Sequence, residues 1–154
     1  MLSESMALQL RDQLRNFQDT CPNTSVEAWQ YKPASGKWSA RENMAHLARY
    51  HEIFLERLKR IQEEERPQFA RYRAEDDPKW GAWAEMETQA LRTRIRTLRE
   101  DVLTAVGRLS DEQTTRTGIH PALGEMNVVQ WIEFFLLHEA HHLYAILFRL
   151  GEAA

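Results

Sequence analysis

Three histidines interrupt an apolar run near the end of the chain, Val128 to Leu150, VVQWIEFFLLHEAHHLYAILFRL. A ring nitrogen in such surroundings must find a partner, because an unpaired polar group removed from water costs free energy. At about 100° per residue on a helix, Val128, Trp131, Phe135, His138, His142 and Ala145 fall on one face. His138 and His142 therefore stack one turn apart and are able to share one ion. The same spacing also suits two core histidines bonded to carboxylates or carbonyls, and this stretch by itself leaves both readings open. His141 lies on a second apolar line with Phe134, Leu137, Tyr144 and Phe148, and is expected to face a different neighbour.

The run His138-Glu139-Ala140-His141-His142 also spells His-Glu-x-x-His, the helical zinc motif of metalloproteases in which Glu is the general base. Such a protease needs a third ligand well beyond the motif, and here only the tail to Ala154 follows. A di-iron bundle needs two Glu-x-x-His motifs, and Glu139 to His142 is the only one. Glu139 is thus the one catalytic candidate. Its position off the His138/His142 face counts against a base and favours a bond to a ligand's second ring nitrogen.

These residues must be held by a helical frame. With 154 residues the chain is read as one domain, 1–154, large enough for a hydrophobic core without disulfides. The lone Cys21 cannot form an internal bridge, which fits a reducing cytoplasm. Net charge is -3 with both signs interspersed, so no nucleic-acid surface is expected, and the arginines between Arg92 and Arg99 read as a solvated helix face. The start MLSESMALQL lacks a basic region followed by an apolar core, and the longest apolar run is broken by Glu and His, so neither export nor membrane spanning is indicated.

Ser3 is placed to cap a first helix to about Thr20, with Met6, Leu10, Leu14 and Phe17 as its core stripe. Ser25 to Tyr31 adds one or two turns before Pro33. Ser39 and Glu42 form a capping box for a second long helix from Ala40 to about Glu64, carrying Met44, Leu47, His51, Phe54, Leu58 and Ile61 along one seam. On that periodicity His51 is better buried than His46, which lies to the side with Asn43 and Tyr50. The stretch from Glu65 to Trp80 is long for a compact connection and is a candidate cover for a site. Trp83 to Leu109 repeats the bundle pattern, Ser110 is set to cap a further turn, and Thr117 to Gly124 reads as a loop from its glycines and proline. Asn127 with Gln130 caps the fourth helix, and Gly151 is expected to close it. With no alternating strand pattern, the fold class is all-α, a four-helix bundle with long interhelix connections.

Lys37-Trp38-Ser39 leading through Glu42 to His46-Leu47, then His120-Pro121-x-Leu123-Gly124, then His138-x-x-x-His142 resemble, in order and separation, the DinB family of bacillithiol-transferase-like bundles over nearly the whole chain. The resemblance implies a three-ligand divalent metal site built from the histidine before leucine on the second helix and two positions on the fourth. Carried over, these are His46, His138 and His142, with His51 left to the core or to a ligand's surroundings. Imidazoles suit zinc first and nickel second. Relatives include enzymes that transfer low-molecular-weight thiols to electrophiles, and others described as metal-dependent hydrolases.

The leading expectation is therefore a metal-dependent enzyme of the thiol S-transferase type acting on a small-molecule substrate. The alternatives are a metal-dependent hydrolase and a non-catalytic interaction module. Roles for His51, His120 and His141 are not assigned by the motifs. A homodimer is expected because the Phe134, His141 and Phe148 line exceeds what one bundle covers. Glu42 and Glu139 are the expected partners of the ligand rings.

Overall fold

The computed structural model describes residues 1–154. Four long helices make the bundle: α1 (Glu4–Thr20), α3 (Ala40–Glu63), α5 (Thr88–Gly107) and α7 (Val128–Glu152), with short helices α2 (Val26–Gln30), α4 (Trp80–Ala84) and α6 (Asp111–Thr115) in the connections. Both α1 and α3 pack on α5 and on α7, so the first two long helices face each other across the bundle and are not neighbours. The connections between successive long helices are long enough to permit that order, as the sequence suggested.

The starts of these helices follow the local chemistry of their caps. Ser3 accepts from the Met6 amide, and Ser39 with Glu42, Ser110 with Gln113 and Asn127 with Gln130 each form a reciprocal capping box. Each box satisfies amides that have no partner inside the helix. The core divides into two clusters. Phe54, Ile61, Trp131, Phe135 and Leu10 centre one, and Leu47, Leu91, Ile95, Leu98 and Ile146 the other.

Three local expectations are corrected. The third long helix is not continuous from Trp83: α4 ends at Ala84 and α5 begins at Thr88. Gly151 does not close the last helix, which runs on through Glu152 and ends with the Ala153 amide donating a hydrogen bond to the Arg149 carbonyl. The segment read as a loop is an antiparallel hairpin of β1 (Thr117–His120) and β2 (Gly124–Asn127), the sole sheet of a bundle otherwise helical.

That hairpin is held against α3 by the long connection. The Phe69 amide donates to the Ile119 carbonyl at 3.1 Å and the Ile119 amide to the Pro67 carbonyl at 2.8 Å. Arg116 donates to the Ile61 and Glu64 carbonyls at the end of α3, both at 2.7 Å. Gly118 is required here by close approach: a Cβ would lie 2.8 Å from Phe69 Cε2 and 2.9 Å from Ile61 Cγ1. Four-residue strands with such pairing have too few alternations to reveal themselves by periodicity.

Candidate metal centre

Two helices bring the histidines together. His46 projects from α3 and His138 and His142 from α7, one ring nitrogen of each lying within 4.8 Å of the others. The Nε2 atoms of His46 and His138 are 3.0 Å apart. Zinc–nitrogen bonds of about 2.0–2.1 Å at tetrahedral angles separate ligand nitrogens by roughly 3.3 Å, so this spacing suits two lone pairs aimed at one ion. His142 points its other nitrogen away: Nδ1 lies 2.8 Å from Asn43 Oδ1, which fixes Nδ1 as the protonated atom and leaves Nε2 free. Asn43 is fixed in turn by donating to the Ser39 carbonyl at 2.9 Å. Nδ1 of His46 and of His138 are buried without a protein partner.

The surroundings favour neutral rings. Burial, reinforced by the neighbouring imidazoles, pushes the pKa of His138 down to about 2 and that of His142 to about 3. Burial likewise lowers His46 to about 4, against an upward pull from Glu75. A neutral imidazole offers the lone pair that a metal needs. Aromatic rings form a collar: Tyr72 stacks on His46 with centroids 5.5 Å apart, Tyr50 lies 4.1 Å from His138, and Trp38 lies 5.0 Å from His46. Tyr72 and Trp80 come from the connection between α3 and α5, so this stretch does cover the site. Tyr72 is anchored there by donating to Asp77, which also accepts from Arg49.

All three rings open onto one cavity of about 510 Å³, whose wall also includes Tyr50, Arg57, Arg71, Tyr72, His120 and Phe134. A larger recess of about 640 Å³, lined by Trp38, His141, Tyr144 and Phe148, touches only His142 of the three. The smaller cavity is the one that an ion shared by the rings would face.

Glu139 is placed elsewhere. It is fully buried on the bundle side of α7, accepting from Arg99 Nη2 and from Gln13 Nε2 at 2.9 Å. It does not reach the cavity wall, and it bonds no ring nitrogen of His46, His138 or His142. Glu42, the other expected partner, is occupied by the Ser39 amide and by Lys32. The acceptor that does orient a ring is Asn43, which no motif singles out. Its signal was available: it sits three residues before His46, on the face that His46 shares.

His51 is fully buried, as its seam position implied, and pairs through Nδ1 with the Leu47 carbonyl at 2.7 Å. Its Nε2 lies 3.5 Å from Glu139 between α3 and α7, and the ring does not line the cavity. His141 is exposed beside the larger recess. His120, on the hairpin, reaches the cavity that the three rings share. Burial pushes the Cys21 thiol above its ordinary pKa, against a downward pull from Arg92, which disfavours the thiolate.

Comparison with known proteins agrees with this architecture. Residues 9–146 match the model of the DinB superfamily. The uncharacterised protein YuaE of Bacillus subtilis is 29% identical over 131 residues, covering 77% of this chain and 81% of that protein. Among solved structures, YfiT from Bacillus subtilis superposes with a TM-score of 0.77 at 18% identity, covering 99% of this chain and 89% of that one. YfiT is described as a probable metal-dependent hydrolase with an unusual four-helix bundle topology.

Proposed function

We propose, from the premise that the chain belongs to the DinB superfamily, that it is a metal-dependent enzyme of the thiol S-transferase type whose ligands are His46, His138 and His142. Zinc is the expected ion and nickel the second choice, since imidazole accommodates both. Three imidazoles leave a coordination position open, and an ion held in that way lowers the pKa of a thiol or water bound to it.

The observation that favours thiol transfer over hydrolysis is the composition of the cavity wall, which contains no carboxylate. Hydrolysis calls for a group that takes a proton from the attacking water. Glu139 is committed to Arg99 inside the bundle. His120 has its Nδ1 turned to the Ala122 and Leu123 amides at 3.1 and 3.0 Å, so its lone pair is used. A thiol needs no base of this kind once its pKa is lowered. The chain's own contribution is then to hold three neutral rings in place, exclude water with Tyr50, Tyr72 and Trp38, and seat the electrophile in the cavity.

The second reading, a hydrolase, is favoured by the description of YfiT. One assay separates them. Zinc-loaded protein is expected to accelerate conjugation of a low-molecular-weight thiol to monobromobimane, and to lose that activity on chelation and in His46→Ala, His138→Ala and His142→Ala. Metal-dependent turnover of p-nitrophenyl acetate without any thiol would instead support the hydrolase. Stoichiometric zinc with neither activity would favour the interaction module.

The exposed row Leu137, Tyr144, Leu147 and Phe148 on α7, each at least half exposed, supports a second copy of the chain as partner. Sedimentation at micromolar concentration should give a dimer. No helix is long and apolar enough to cross a membrane, and a cytoplasmic setting is in keeping with the single thiol at Cys21.

A further inference from the structure

We propose that the cavity holds an anion subsite, made by the guanidinium groups of Arg57 and Arg71 with the Nε2–H of His120, which takes a carboxylate or phosphate group carried by the substrate. It rests on the reading of this cavity as the reaction site.

Arg57 is the central observation. It is only 7% exposed, yet forms no ion pair. A buried charge is costly unless it is paired. The partners Arg57 does have are neutral: Nη1 donates to the Tyr50 hydroxyl at 3.2 Å and Nη2 to the Ala70 carbonyl at 2.9 Å. The rings of Tyr50, Phe69 and Trp131 pack within 6 Å of it and attract a cation without neutralising it.

A second cation adds to the first. Arg71 is exposed on the covering segment, lines the same cavity, and is likewise in no ion pair. Acids are nearby but do not serve the two arginines. Asp77 accepts from Arg49 and Tyr72, and Asp76, which borders an outer recess that Arg57 and Arg71 also line, forms an ion pair with neither guanidinium. Glu75 is exposed and outside the wall, although close enough to raise the pKa of His46.

His120 completes a set made only of donors. Because Nδ1 accepts two backbone N–H groups, the ring's proton sits on Nε2. Burial, with Arg57 and Arg71 close by, lowers its pKa and keeps that tautomer neutral. Two guanidiniums and an imidazole N–H in a wall without carboxylates match the oxygens of an anion, and repel a cationic substrate. Carboxylate and phosphate share this chemistry.

The test is a titration of the full-length chain, zinc-loaded and after chelation, with sodium phosphate and separately with sodium acetate against sodium chloride at matched ionic strength. Arginine Nε–H resonances report binding. The expected result is a saturable shift of Arg57 and Arg71 in both forms. Arg71→Ala should weaken binding roughly tenfold, the scale of one charge-assisted hydrogen bond, while Arg73→Ala, which is outside the cavity wall, should bind as wild type does. Tighter binding of phosphate would assign a phosphoryl group, and tighter binding of acetate a carboxylate. The proposal is overturned by the absence of a saturable shift, by equal affinity in Arg71→Ala, or by binding that requires zinc and ignores Arg71, which would put the anion on the ion. Circular dichroism of Arg71→Ala verifies its fold. Zinc content of the same samples tests the metal reading separately: a chain that binds no zinc but retains the Arg71-dependent shift would remove the metal and keep the subsite.

Discussion

Replacing Glu139 by Gln removes one negative charge from the interior with almost no change in side-chain volume. Glu139 is fully buried, accepts from Arg99 and Gln13, and lies 3.5 Å from His51 Nε2. Arg99 is 5% exposed and also donates to the Leu10 carbonyl at 2.8 Å, so the pair ties α1, α5 and α7 together. The substitution leaves Arg99 charged and buried without an anion. Breaking a buried pair in this way costs about 3–5 kcal/mol. For a chain of this length each kcal/mol lowers Tm by about 2–4 °C, so a fall of roughly 6–20 °C is expected. Urea unfolding of chelated protein measures the cost without contribution from a bound ion. Zinc stoichiometry should be unchanged in the folded variant, because Glu139 points to the bundle side and not into the cavity. The double variant Arg99→Met/Glu139→Leu should recover most of the loss, since two apolar groups leave no unpaired charge. A loss below about 1 kcal/mol would refute the account of the pair. Intact stability with diminished zinc or activity would show instead that Glu139 acts on the metal centre.

Other outcomes follow from the same geometry. Asn43→Ala deprives His142 Nδ1 of its acceptor and should weaken zinc binding about 10- to 100-fold in a competition assay with a chromogenic chelator, with little change in helicity. Gly118→Ala puts a methyl group against Phe69 and Ile61, and a loss of about 1–3 kcal/mol is expected in denaturant unfolding. His51→Ala should retain its zinc by elemental analysis while losing stability, whereas His46→Ala should lose the ion. Acid should destabilise the chelated protein: His51, pushed down to about 3 by burial, binds fewer protons folded than unfolded below its ordinary value of 6.5. Stability is then complete above that value and falls as pH drops towards 3, with a slope of up to about 1.4 kcal/mol per pH unit for each such ring. The buried rings of His46, His138 and His142 act in the same direction. A stability that stays flat between neutral pH and the acid side of 6.5 would show that these rings are not held neutral.

The helical frame was legible because each helix carries its own instructions. Ser3, Ser39 and Asn127 mark starts by local hydrogen bonding, and the stripes of α1, α3 and α7 repeat every three or four residues whatever they pack on. The burial of His51 and the pairing of His138 with His142 on one face followed from that periodicity alone. Placing His46 beside them did not, since periodicity preferred His51 as the inward ring, and only resemblance to a family pointed to His46. The tertiary structure brings the His46 and His138 nitrogens to 3.0 Å across two helices, and such a distance depends on crossing geometry that no single helix encodes. The hairpin carrying His120 gives no strand signal in the sequence because its strands are short, and it is stabilised by pairing with Pro67 and Phe69 far away in the chain. The sequence points to Glu139 as a ligand partner and the fold gives it another role for the same reason: its neighbour in sequence is His138, but a rotation of about 100° per residue turns it to Arg99 inside the bundle. Local propensity decides where a helix begins and which side is apolar, whereas the partner of a buried charge is decided by what the other helices bring to that side.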